Sequence, residues 1–182
     1  MKFDSLEHPP DAIDLQILDL LQDNCKQPLA SIGQKVGLTA SSVMERIHKL
    51  EQAGVITGYS ARVDPRRLGR EVTAFIGVQI SHPRAIAAFE REIAHLDDVL
   101  DCHHVTGGHT LMLKIKTQST ETLERLIDRM RSVEGVMRTE TMVVLSTHSE
   151  RQRIRVAPRE GDTPRRPRRP TGSRLRRAGE GA

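Results

Sequence analysis

The 182-residue sequence predicts an α+β chain, with a three-helix helix-turn-helix unit, a linker, a βαββαβ unit and an Arg-rich tail. Three observations carry this prediction. Val36-Gly37-Leu38-Thr39 reads as a tight corner between two short helices. Apolar residues recur every three or four positions as far as Ala53-Gly54, and alternate from Ala74 to Ile80, a change from helical to strand period. From Arg151 to Ala182 the chain holds 11 Arg, no Lys and three acids. The expected bounds are 1–60 for the first unit, 61–73 for the linker, 74–150 for the second unit and 151–182 for a disordered tail.

The first helix starts after Pro9-Pro10, with Asp11 as its cap and Asp14 in the first turn, where a negative charge suits the helix dipole. Ile13, Ile17, Leu18, Leu20 and Leu21 give it an apolar face wide enough to meet two other helices. Pro28 opens the second helix, where its missing N–H is not needed. Gly37 ends that helix by taking a left-handed conformation, Leu38 plugs the corner, and Thr39 caps the third helix. Val43, Ile47 and Leu50 face the core, together with Ile17, Leu21, Ile32, Val36 and Leu38. Val55 to Val63 is rich in β-branched residues and reads as extended, a short strand after the third helix. Asp64-Pro65 to Gly69-Arg70 is turn-rich.

In the second unit Ala74–Ile80 alternates as a strand. A helix over 85–96 aligns Ile86, Phe89, Ile93 and Leu96. Val99–Val105 and Thr110–Thr117 are strands around a Thr106–His109 turn. Ser119 or Thr120 caps a helix with Leu123, Leu126, Ile127 and Met130 on one stripe, and Val136–Leu145 is the last strand. This order is the split βαβ of ferredoxin-like folds. Phe75, Met112 and Met142 fall on the sheet face away from the helices, an apolar face expected to be buried against a second copy.

Composition narrows the function. The formal net charge is +4, but the tail carries +8, so residues 1–150 carry −4. Overall basicity therefore does not by itself establish a nucleic-acid partner. Cys25 and Cys102 are far apart and predict no disulfide, which suits a reducing cytoplasm. No secretion signal or membrane-spanning stretch is expected, so no membrane partner. No nucleotide loop or nucleophile elbow is present, and no cofactor or catalytic residue is expected.

The corner and the third helix carry the chemistry. The outward side of that helix shows Ser41, Ser42, Glu45, Arg46 and Lys49 behind the Thr39 cap. Arg46 can fork onto a guanine edge or grip phosphate, with Lys49 one turn on. Ser41 and Ser42 suit phosphates or base edges near the helix N-terminus. Glu45 either accepts from a cytosine amino group or pairs with Arg46 or Lys49. Alone this would be an ordinary solvated helix face; behind a Gly corner it is a candidate DNA-reading helix. Cys102, His103, His104 and His109 invite a metal reading. Neighbouring strand residues point to opposite faces, so no metal site is expected.

With these residues in view, 11–148 resembles the Lrp/AsnC family of transcription regulators, also called feast/famine proteins. The resemblance rests on Val36-Gly37-Leu38-Thr39 through Gly54-Val55-Ile56-Thr57-Gly58-Tyr59, on Asp64-Pro65 with Leu68-Gly69, on Asp101-Cys102-His103-His104-Val105-Thr106-Gly107, and on Gly135-Val136 with Arg138 to Thr141. It implies a DNA-binding domain followed by an amino-acid-responsive domain that forms dimers and often octamers. It also implies an effector site between dimers, near the loop after Val105 and the last strand: His104, Thr106, Gly107, Gly108, His109, Thr110, Thr139 and Thr141. Most members have an Asp where Thr110 stands, three residues after the loop's Gly, and the family pattern ends near Ser149. Siroheme decarboxylases resemble the same architecture, which leaves an enzymatic alternative using His and Arg residues of the second domain. The tail's arginines either bind DNA phosphates without sequence preference or solubilise the chain.

Overall fold

A computed structural model describes residues 9–156. These divide into two compact units, 9–60 with 152–156 and 61–151.

In the first unit, α1 (Ala12–Asp23), α2 (Leu29–Val36) and α3 (Ala40–Gln52) close around fully buried Ile17, Ile32 and Val43. Asp11 caps α1 in a capping box. Its Oδ1 accepts from the Ile13 and Asp14 N–H groups at 2.8 Å each, and Asp14 Oδ2 accepts from the Asp11 N–H at 3.0 Å. Gly37 has φ 73°, the left-handed conformation that lets the chain leave α2 at once. Thr39 caps α3, its Oγ1 accepting from the Ser42 N–H at 3.2 Å. Thr39→Ala is expected to cost about 1 kcal/mol in urea unfolding, the usual loss for an N-cap.

The turn needs a second glycine. A Cβ on Gly33 in α2 would lie 2.5 Å from the Leu38 carbonyl oxygen, so the chain passes directly over this position. Helix glycines usually destabilise, and here close approach outweighs propensity.

Val55–Val63 forms no strand. The Val55 and Ile56 N–H groups donate to the Leu50 carbonyl at 2.9 and 3.1 Å, and beyond them no ladder partner runs alongside among the described residues. β-branched composition favours an extended chain, but a strand also needs a neighbour to pair with. Tyr59 donates to Glu51 Oε1 at 2.8 Å, and burial together with that carboxylate pushes its hydroxyl up to about 12.

The start of the tail also departs from expectation. Arg153 Nη2 donates to Asp19 Oδ1 at 2.7 Å. The Ile154 N–H donates to Gln22 Oε1 at 2.8 Å, and Gln22 Nε2 returns a bond to the Ile154 carbonyl at 3.0 Å. The rest of the expected disordered tail, 157–182, lies outside the described residues.

In the second unit, a short 3-10 turn (Arg66–Leu68) leads into β1 (Val72–Ile80), α4 (Pro83–Ile93), β2 (Val99–His104), β3 (Leu111–Thr117), α5 (Thr120–Arg131) and β4 (Val136–Val143). β1 thus begins two residues inside the expected linker. Ser119, rather than Thr120, caps α5. The sheet order is β2-β3-β1-β4, all antiparallel, as in a ferredoxin-like fold. Ala74, Ile76 and Val78 of β1 and Leu111, Leu113 and Ile115 of β3 pack under Phe89, Ile93, Leu123, Leu126 and Met130. The other sheet face shows Phe75 paired with Met142, and Met112 paired with Gly77. Lys114 and Lys116 share that face, and both reach Glu150.

Candidate nucleic-acid interface and ligand-binding domain

The cap, the corner and the 3.6-residue period set what α3 offers. Thr39 Oγ1 lies 2.9 Å from both the Ser41 and the Ser42 hydroxyls, so three expected residues gather at the helix N-terminus. One turn on, Lys49 Nζ meets Glu45 Oε1 at 2.7 Å, and this bond and charge hold the Glu45 carboxyl below its ordinary value. Both side chains are exposed, so the pair is worth little in stability and is open to exchange.

Arg46 is placed elsewhere than expected. Its Nη1 lies 2.7 Å from both Asp11 Oδ2 and Asp14 Oδ1, and its side chain is only 30% exposed. Its bonds to Asp14 and then to Asp11 raise its already high pKa. Burial pushes Asp11 up, but the Asp14 N–H and the Arg46 guanidinium outweigh it and hold that carboxyl below its ordinary value. The capping box that starts α1 thus draws Arg46 back against the domain. Helical period alone puts Arg46 on the outward face, because it ignores acids on another helix.

Other residues of α3 that the expected set omits do face outward. Met44 is 57% exposed, and His48 and Gln52 are exposed and 2.9 Å apart. Positions 41, 44, 45, 48, 49 and 52 lie opposite the Val43, Ile47 and Leu50 stripe, a signal already present in the spacing.

In the second unit, the loop after β2 is closed by the Val105 N–H on the Thr110 carbonyl at 3.1 Å. Thr110 then locks onto β1. Its N–H donates to the Val78 carbonyl at 2.8 Å, and its Oγ1 accepts from the Ile80 N–H at 3.1 Å, where β1 bulges. The His109 ring lies over Gly77, where a Cβ would meet it at 2.7 Å, with Nε2 3.6 Å from Glu140 Oε2.

The eight expected effector residues are not brought to one place. Thr139 and Thr141 pair with Val78 and Ile76, and His104 pairs with Leu111, so these three lie on the helix-covered side of the sheet. His109, stacked over Gly77, lies on the other face, where Glu140 joins it. Thr106, Gly107 and Gly108 form the exposed loop between β2 and β3. A one-residue difference in β4 register exchanges Thr139 and Thr141 for Arg138 and Glu140, which spacing alone does not resolve.

Register also separates the metal candidates. Cys102 and His104 oppose Leu113 and Leu111, whereas His103 opposes Met112 on the other face. Among the described residues no group of three or more His, Cys, Asp or Glu is placed to hold a metal ion. Burial, with the Glu90 charge, pushes the Cys102 thiol up and keeps it protonated.

Residues 11–51 match the family model of the AsnC-type helix-turn-helix domain, and residues 73–154 match that of the Lrp/AsnC ligand binding domain. The chain belongs to the Lrp/AsnC family. Among curated relatives it is 36% identical to the HTH-type transcriptional regulator FL11 of Pyrococcus horikoshii over 142 residues, which is 78% of this chain and 93% of that one. Its fold is similar to the structure of Escherichia coli AsnC, with a TM-score of 0.74 at 28% identity over 79% of this chain and 97% of that one. It is also similar to the feast or famine regulatory protein of M. tuberculosis complexed with L-methionine, with a TM-score of 0.75 at 28% identity over 80% and 99%. This Lrp/AsnC protein is therefore a transcription regulator with a DNA-binding and a ligand-binding domain, not an enzyme, and the siroheme reading is set aside. No helix among the described residues is long and apolar enough to cross a membrane.

Proposed function

We propose that this regulator acts as a homodimer in the cytoplasm, setting two α3 helices into successive major grooves of a near-palindromic operator. The observation that carries this reading is α3, capped by Thr39 and turned by Gly33 and Gly37, with a polar stripe facing away from its core. Thr39, Ser41 and Ser42 take phosphates at the helix N-terminus. Glu45 and Lys49 exchange their mutual pair for base edges, and Met44 meets a thymine methyl. Half-sites then lie about one helical turn, roughly 34 Å, apart. The open sheet face with Phe75, Met112 and Met142 supports an isologous dimer, and assembly up to an octamer is what the family resemblance implies.

Selection from a random duplex library, followed by sequencing, tests the DNA reading, and a palindromic consensus is the expected result. Lys49→Ala is expected to weaken binding to that consensus by about 1–2 kcal/mol, with folding stability changed by less than about 0.5 kcal/mol. Equal affinity in gel shifts would remove Lys49 from the interface.

The second domain is proposed to take an amino acid or related small molecule near the loop after β2. Support comes from the family model and from the mycobacterial relative, solved with L-methionine. With the Thr110 hydroxyl oxygen tied to Ile80, His109 and Glu140 are the polar pair proposed to meet the effector. Thermal-shift screening of the amino acids, with light scattering on any hit, tests this; no shift with any of them would exclude amino-acid sensing.

A further inference from the structure

The three-helix domain is short of positive charge. Residues 1–60 hold five Lys and Arg against eight Asp and Glu, a net −3. The two cations on α3 are both engaged, Arg46 by Asp11 and Asp14, and Lys49 by Glu45. Duplex DNA carries about one negative charge per 1.7 Å of axis, so such a domain approaches it against a repulsive field. Residues 61–151 do not make up the difference, with 13 cations and 13 acids. The surplus lies in 152–182, with ten Arg against three acids, a net +7.

The root of that segment is docked on the acidic domain. Arg153 reaches Asp19 at 2.7 Å and Asp23 at 3.8 Å. The Gln22 side chain holds both the N–H and the carbonyl of Ile154, as a strand neighbour would. A generic charge attraction would not select this residue, because the Gln22 pair reads backbone at one position.

We infer that 151–182 is a second DNA-contacting element, clamped on α1 through Arg153 and Ile154 so that its arginines meet phosphates beside the site α3 reads. This rests on the DNA-binding reading and extends it. Beyond Val156 lie 26 residues with eight Arg. At about 3.5 Å per residue they reach at most about 90 Å, more than two turns of duplex. Arg is suited to phosphate by its planar fork and constant charge. The contacts are with the backbone and independent of base sequence.

The test is anisotropy titration of a labelled 40-base-pair mixed-sequence duplex across a range of salt. Deleting 157–182 is expected to flatten the log–log salt slope by at least three units, about 0.9 for each phosphate no longer neutralised, and to weaken binding a hundredfold or more. The double variant Gln22→Leu/Ile154→Pro changes no charge. It is expected to keep the slope but bind about tenfold more weakly, because the arginines are no longer concentrated at the domain. Far-ultraviolet circular dichroism confirms that both variants fold. A deletion that changes neither slope nor affinity overturns the inference, and a clamp variant that binds like the full chain overturns the clamp. No binding to any duplex overturns the DNA reading as well. A steep tail-dependent slope with no consensus from the library removes operator recognition alone.

Discussion

Gly33→Ala is expected to destabilise the three-helix domain by about 2 kcal/mol and to abolish specific DNA binding. The new methyl would lie 2.5 Å from the Leu38 carbonyl oxygen and 3.4 Å from its carbon, and both are backbone. Overpacking of this kind costs about 3 kcal/mol, and alanine's better helix propensity returns about 1. The only relief is for the corner to move away from α2, which carries Thr39 and the start of α3 with it. Gly37→Ala separates crowding from conformation. Nothing lies within 4 Å of a Cβ there, so its cost of about 1 kcal/mol comes from the left-handed backbone alone. Thermal unfolding of the full chain checks both: if Gly33→Ala melts like the parent, the corner does not pass this close to α2.

Arg46→Ala is expected to cost about 1–2 kcal/mol of folding stability, and any loss of DNA affinity follows from that. The outward Arg46 that helical period predicts would give the opposite, a folded mutant with weakened binding. The structure reverses the order because the guanidinium bridges two carboxylates that α1 needs for its own N-terminus. Removing it leaves Asp11 and Asp14 facing one another without a cation. The figure is kept modest because Asp11 remains half open to water. A pH dependence follows. Asp11 has a folded value below its ordinary 3.8, so it adds stability above that value, and the addition is lost as pH falls through the lowered folded value. Arg46→Ala should therefore narrow the stability gap between pH 6 and pH 3. An unchanged gap would show that Asp11 owes its shift to the helix N–H groups alone.

Much of this is legible in residue order. The Gly37 corner, the Thr39 cap, the apolar stripe of α3 and the βαββαβ alternation are local patterns, and each depends on residues within a few positions of one another. The same holds for the Glu45–Lys49 pair, one helical turn apart. What residue order leaves open depends on distant partners. Val55–Val63 has a strand's composition but no ladder beside it among the described residues. Thr139 and Thr141 group with His109 by proximity to a loop, yet β4 register places them on opposite sheet faces.

The sequence by itself determined the helix-turn-helix, the two-unit organisation and the family, because turns, caps and periodicity are short-range effects. Tertiary structure alone decided how charges distant in the chain are used. Arg46 is held by acids more than 30 residues away, Thr110 by the β1 backbone, and Arg153 by Asp19, 134 residues away. Coulomb and hydrogen-bond energies depend on distance in space, and only the packed chain brings these groups within reach.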